Sequence, residues 1–139
     1  MSFRPAPVGS LLKGERSAKP KPGKRQAPAF NAAKHLRAVR CLPCISCDAD
    51  PAGVAAHLRM ASEGKPEAGM GRKPDDTWVT PICAWCHTDG AGAQHRGSER
   101  EWWGYLGIDP LWLCAALVAV SPDVERMRNV VFRAREMRK

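Results

Sequence analysis

CISCD, residues 44–48, and CAWCH, residues 83–87, each hold a C-x-x-C pair, and these two short runs decide how the chain folds. Thirty-five residues separate Cys47 from Cys83. Two such turns can close four thiolates, Cys44, Cys47, Cys83 and Cys86, around one tetrahedral ion, and a site with four protein ligands is structural because it keeps no open position. Zinc is the expected metal. Cys41 also stands three residues before Cys44, so CLPC could supply the first pair. Cys44 with Cys47 is the better pair, because Pro43 removes an N–H that such a knuckle would aim at sulfur. Cys41 and Cys114 are expected to pack as small buried hydrophobes. No βαβ pattern surrounds either pair, which argues against a redox role. The first thirty residues hold no apolar run that would serve as a secretory signal, so the chain is expected in the cytoplasm, where thiols stay reduced and a disulfide framework is not expected.

Working outward, the segment between the pairs alternates short apolar runs with loop. GVAAHLRM, residues 53–60, and TWVTPI, residues 77–82, read as strands. ASEGKPEAGMGRKP, residues 61–74, reads as loop from its glycines and prolines. Upstream, Asn31 can cap a short helix through AAKHLRAVRC with Leu36 and Val39 on one side, with a break at Pro43. Downstream of Cys83 a helix is expected to bend at DGAGA, residues 89–93, since glycine costs a helix about 1 kcal/mol relative to alanine. Ser98 caps SEREWWGYLG, which ends at Gly107. Asp109 and Pro110 open an apolar helix, and Ser121 and Pro122 repeat the start signal for a last helix with Val124, Met127, Val131 and Ala134 on one face. Trp102, Trp103 and Trp112 are expected to pack against the zinc lobe.

The whole chain has 139 residues, room for one domain, and 44% hydrophobic residues with 26% charged. No apolar run approaches the roughly 20 residues that span a bilayer, so no membrane association is expected. Charge is divided by segment. Residues 1–40 carry ten Lys and Arg against one acid, residues 41–121 six against ten, and residues 122–139 six against three. The expected organisation is therefore a disordered basic arm at 1–30, a zinc-stapled α+β domain at 31–121 and a basic C-terminal helix at 122–139. Basic flanks suit a polyanionic partner, because neutralising phosphates releases counterions.

Three of the four histidines, His57, His87 and His95, fall in or beside the zinc-paired region. The order is zinc turn, strand histidine, loop, Asp76, strand, zinc turn, histidine. With LPCISC at 42–47, AAHLRM at 55–60, GMGRKPDDTWVTPICAWCH at 69–87 and QHRGSEREWWGYLGIDP at 94–110, this order resembles the HNH endonucleases. The likeness covers roughly residues 34–120. It is similar to small phage and prophage members with a four-cysteine zinc site, a group that includes recombination-enhancement nucleases. The resemblance implies a ββα-metal core and metal-dependent hydrolysis of DNA phosphodiesters. It makes His57 the general base, Asp76 the residue that orients it, and His87 and His95 the ligands of a catalytic Mg2+, Mn2+ or Zn2+. DNA is the implied partner, with a recombination or replication protein as a second. The pattern departs from the family at Ala56, where many members carry a metal-binding Asp or His. His87 and His95 also stand eight residues apart, so a loop must bring them together, and Asp75 or Asp89 could fill a ligand position. The competing readings are a non-catalytic zinc-stabilised nucleic-acid-binding module and a scaffold that displays tryptophans.

Overall fold

The computed structural model describes residues 30–60 and 75–138. The basic arm and the 61–74 loop lie outside the described residues, apart from Phe30. From Asn31 onward the chain forms one unit. The Asn31 side chain accepts from Lys34 N at 3.0 Å and opens α1, Ala32–Arg40. Spacings of three and four residues turn His35, Ala38 and Val39 inward, while Lys34, Arg37 and Arg40 remain exposed. The helix stops at Cys41, two residues before Pro43, where N–H groups of Cys41 and Leu42 close onto Ala38 and Val39 carbonyls. That turn leaves Cys41 exposed, contrary to the burial expected for it, whereas Cys114 is buried as expected.

The strands are short. β1, Ala55–His57, pairs antiparallel with β2, Val79–Pro81, in the register Ala55↔Pro81, Ala56↔Thr80, His57↔Val79. Both fall inside the segments expected from sequence, but each is only three residues long. Pro81 has no N–H to extend the ladder. A two-stranded pair of this length is not stable by itself. It is held by its neighbours: Leu58 N donates to Trp78 O at 2.8 Å, and Ile45 N, from the first cysteine turn, donates to Pro81 O at 2.9 Å.

After a π-helical turn at Trp85–Asp89 and a 3-10 turn at Gln94–Arg96, three helices complete the fold. α2, Glu99–Leu106, is capped by Ser98 and ends on Gly107, whose φ of 71° is the left-handed conformation that glycine tolerates. α3, Pro110–Val120, starts from Asp109, which accepts from Leu111 N and Trp112 N. α4, Val124–Glu136, is capped by Asp123, not by Ser121. Ser121 is occupied elsewhere, its hydroxyl lying 2.7 Å from Nδ1 of the buried His35.

The core is one cluster. Val39 and Leu42 meet Leu58 and Val79 of the sheet region, Leu113 and Leu117 of α3, and Met127 and Val131 of α4, all fully buried. Trp103 is buried with them, while Trp102 and Trp112 are half-buried. α4 packs on α3 and α1, so the basic C-terminal helix is part of the same unit as the cysteine turns. The architecture is α+β, a two-stranded sheet among helices. No single helix among the described residues is long and apolar enough to cross a membrane; α2 and α3 pass that test only as a pair bent by 79°.

Candidate metal centre and histidine pair

The four cysteines Cys44, Cys47, Cys83 and Cys86 converge, with all four sulfurs within 4.8 Å of one another. Cys47 Sγ and Cys83 Sγ are 3.6 Å apart, which matches the roughly 3.8 Å edge of a tetrahedron with metal–sulfur bonds of about 2.3 Å. The chain supports this with backbone donors. Ser46 N and Cys83 N point at Cys44 Sγ at 3.4 and 3.3 Å, the arrangement that stabilises a thiolate. The exposed Cys41 is not in the cluster. Burial pushes the Cys47 and Cys86 thiols up, and neighbouring sulfurs add to the rise. Burial also raises Cys83, but bonds from the Cys86 backbone and the Cys47 side chain outweigh it and bring that thiol down. A divalent cation removes the conflict among crowded sulfurs by binding all four as thiolates. The cluster is positioned to bind a metal ion such as zinc.

α4 reaches this centre from outside. Arg135 Nη1 donates to Cys44 O and Ile45 O, both at 3.1 Å, and lies 3.7 Å from Asp48 Oδ1. Arg128 pairs with Asp50 at 2.7 Å. Two arginines of one helix therefore hold the turn that carries Cys44 and Cys47.

The histidines form two groups. His57, the last residue of β1, places Nε2 at 2.7 Å from Asp76 Oδ1. Asp76 sits in a tight turn built by its neighbour, since Asp75 Oδ1 accepts from Thr77 N at 2.9 Å and from Thr77 Oγ1 at 3.0 Å. These bonds hold the Asp75 carboxyl below its ordinary value and commit its Oδ1 to the turn. In the second group, the His87 and His95 rings lie 4.4 Å apart and nearly perpendicular, at 84°. The eight-residue interval is closed by a folded insert. Ala93 N donates to Gly90 O, Arg96 donates to Thr88 O and Asp89 O, and Trp102 Nε1 donates to Gly92 O. Gly90 is required there, because a Cβ would lie 2.7 Å from Trp85 Cε2 and 2.9 Å from the Trp85 carbonyl.

Burial pulls the His87 pKa down, His95 and Arg59 add to that, and Asp89 opposes it. Neutral imidazoles are the form that binds metal. Ala56 is buried and offers no donor atom. Among the described residues, the four-cysteine cluster is the one place where three or more ligand atoms gather, so His87 and His95 bring two imidazole rings together without a third ligand atom beside them. Asp89 is the carboxylate whose charge acts on His87.

Two residues with a part in this region were not singled out from the sequence. Glu99 accepts from Arg59 N at 3.1 Å and Met60 N at 2.6 Å, tying the chain just after His57 to the start of α2. His35 is fully buried, its pKa lowered by burial while the charge of Asp76 works the other way. Its position, three and four residues before Ala38 and Val39, was the available signal that it faces inward. Comparison with protein-family models, with curated proteins and with solved structures finds no match to this chain.

Proposed function

We propose that the protein is a metal-dependent endonuclease of the HNH type that hydrolyses DNA phosphodiesters, phage or prophage encoded, with zinc in the four-cysteine site. The observation that carries this reading is the 2.7 Å contact between His57 Nε2 and Asp76 Oδ1 on a strand pair leading to a second cysteine turn followed by paired imidazoles. An ionised Asp76 needs a donor, so it fixes the His57 proton on Nε2 and leaves Nδ1 free to accept one. Nδ1 then takes a proton from the attacking water, a task suited to an imidazole near neutral pH. His87 and His95 would hold a divalent cation, which supplies charge neutralisation at the scissile phosphate and the departing oxygen. The basic arm supplies sequence-independent affinity for phosphates.

The lack of a third ligand atom beside His87 and His95 among the described residues favours a second reading, a zinc-stabilised nucleic-acid-binding module without catalysis. One experiment separates the two. Plasmid nicking is measured across Mg2+, Mn2+ and Zn2+ for wild type, His57→Ala and His87→Ala, with divalent-metal titration of each. The nuclease reading expects His57→Ala to bind metal and DNA but lose cleavage by about 10²- to 10⁴-fold, and His87→Ala to lose both metal and cleavage. DNA binding without nicking in any metal overturns it in favour of the binding module. Loss of metal in His57→Ala equal to that in His87→Ala makes His57 a ligand and removes it as the base.

A further inference from the structure

Helix α3 has the sequence PLWLCAALVAV, with no charged residue, yet only Pro110, Leu113, Cys114 and Leu117 are buried. A surface helix normally turns polar residues outward. Here the outward face is apolar too, and it borders a groove of about 450 Å3 between α3 and α4. Trp112, Ala116 and Val120, each one turn apart on α3, form its floor with Val130 of α4. Arg126 and Arg133, both exposed, stand on its rim, about 10 Å apart along α4 at 1.5 Å per residue. No Asp or Glu lines it. Among the described residues neither rim guanidinium has an ion-pair partner, whereas Arg128 and Arg135 of the same helix pair with Asp50 and Asp48. Trp112 also lines an adjoining hollow of about 240 Å3 with Ile108, Ala134, the half-exposed Met137 and Asp109, whose carboxylate is bonded to the N–H groups of Leu111 and Trp112.

Charge decides what fits there. The chain's own first forty residues carry ten Lys and Arg against one acid, so they bring the wrong sign to an arginine rim. A second copy seated face to face would set its Arg126 and Arg133 against the same two residues. A nucleic-acid backbone would satisfy the arginines but leave the floor of Trp112, Ala116 and Val120 without an apolar partner. We propose that this groove docks an amphipathic helix of a partner protein, with an apolar ridge at spacings of three and four residues flanked by Asp or Glu. The ridge fills the floor, and the acids reach Arg126 and Arg133. This site is separate from the cysteine and histidine clusters and does not depend on the nuclease reading.

The test uses the full chain and a labelled 18-residue helical peptide with a Leu and Phe ridge flanked by Glu. Controls are a scrambled peptide of the same composition and a version with Lys in place of Glu. Fluorescence anisotropy should show saturable binding of the first peptide alone. Joint Arg126→Glu and Arg133→Glu should weaken it by about tenfold or more, since like charges then face each other. Ala116→Glu, which places a charge on the floor, should remove it, while metal content and circular dichroism stay as in wild type. The rim variant keeps the result interpretable if Ala116→Glu fails to fold. Equal binding of the scrambled peptide, no binding of the acidic one, or binding untouched by the rim variant overturns the proposal. So does a concentration-dependent dimer abolished by Ala116→Glu, or a duplex oligonucleotide that depends on the rim arginines and competes with the peptide.

Discussion

Arg135→Met tests whether α4 sets the strength of the metal centre. The substitution keeps most of the apolar stem and removes the guanidinium that donates to Cys44 O and Ile45 O at 3.1 Å. The side chain is 19% exposed, so water replaces the lost donor poorly. A hydrogen bond from a charged donor contributes about 1.5–3 kcal/mol. Both bonds leave one nitrogen, so we count the forked pair as a single bond of this kind, about 2 kcal/mol. Metal binding and ordering of the cysteine turn are linked, so this loss should appear as apparent zinc affinity lower by about 30-fold, at roughly 1.4 kcal/mol per factor of ten. Arg128→Met is the internal control. Its ion pair with Asp50 is shorter, at 2.7 Å, but the partners are 28% and 48% exposed, and such a pair contributes about 1 kcal/mol at most, or roughly fivefold. Zinc competition against a chromophoric chelator at fixed pH reads both. An Arg135→Met affinity within twofold of wild type, or equal to that of Arg128→Met, refutes the idea that backbone carbonyls of the first turn are held from α4.

Gly90→Ala should lower stability by about 1–3 kcal/mol, because the new Cβ meets both the Trp85 ring and its carbonyl, and backbone cannot yield cheaply; an unchanged urea midpoint would show the insert to be freely deformable. For His35, burial lowers the pKa, so the unfolded chain binds the proton more tightly. The stability this residue contributes is then complete above its unfolded value of about 6.5 and is lost as pH falls below it. His35→Gln should therefore lose stability less steeply than wild type as pH falls below about 6.5, and parallel curves in the two proteins would contradict the shift. On the nuclease reading proposed above, deleting residues 1–29 should weaken DNA binding and flatten its dependence on salt, while turnover at saturating DNA persists; cleavage lost at saturation would place part of that reading's active site in the arm.

Local chemistry was legible in the sequence. Asn31, Ser98 and Asp109 each cap a helix where expected, because a capping side chain needs only the next two or three N–H groups. Each cysteine pair is local in the same way, being set by its own turn, whereas the two pairs meet through the β1–β2 pairing and the Ile45–Pro81 bond. Ser121 was misread because its hydroxyl meets His35, 86 residues away, while Asp123, an equally good cap two residues later, starts α4. Cys41 was expected inside because cysteine usually is, yet the helix ends there and turns it out. The convergence of His87 and His95 could not be read from an eight-residue spacing. It depends on a π-helical turn, on Gly90 beneath Trp85, and on Arg96 closing over the carbonyls of Thr88 and Asp89.

Strands of three residues do not persist unaided, so the two histidine groups depend on the cysteine centre to different degrees. His87 follows Cys86 directly, and its N–H is bonded to Cys83 O at 2.8 Å, which makes its position a direct consequence of the second cysteine turn. His57 is reached from that turn only through β2, by way of the register His57↔Val79 and the Trp78–Leu58 bond, and it is also held from α2 by Glu99 at Arg59 and Met60. The Asp75–Thr77 turn that presents Asp76 needs neither cysteine pair, since its bonds span two residues. Loss of the metal should therefore separate His87 from His95 before it parts His57 from Asp76. A centre with no open coordination position would in that way govern a site it does not enter, by setting where the second turn leaves the sheet.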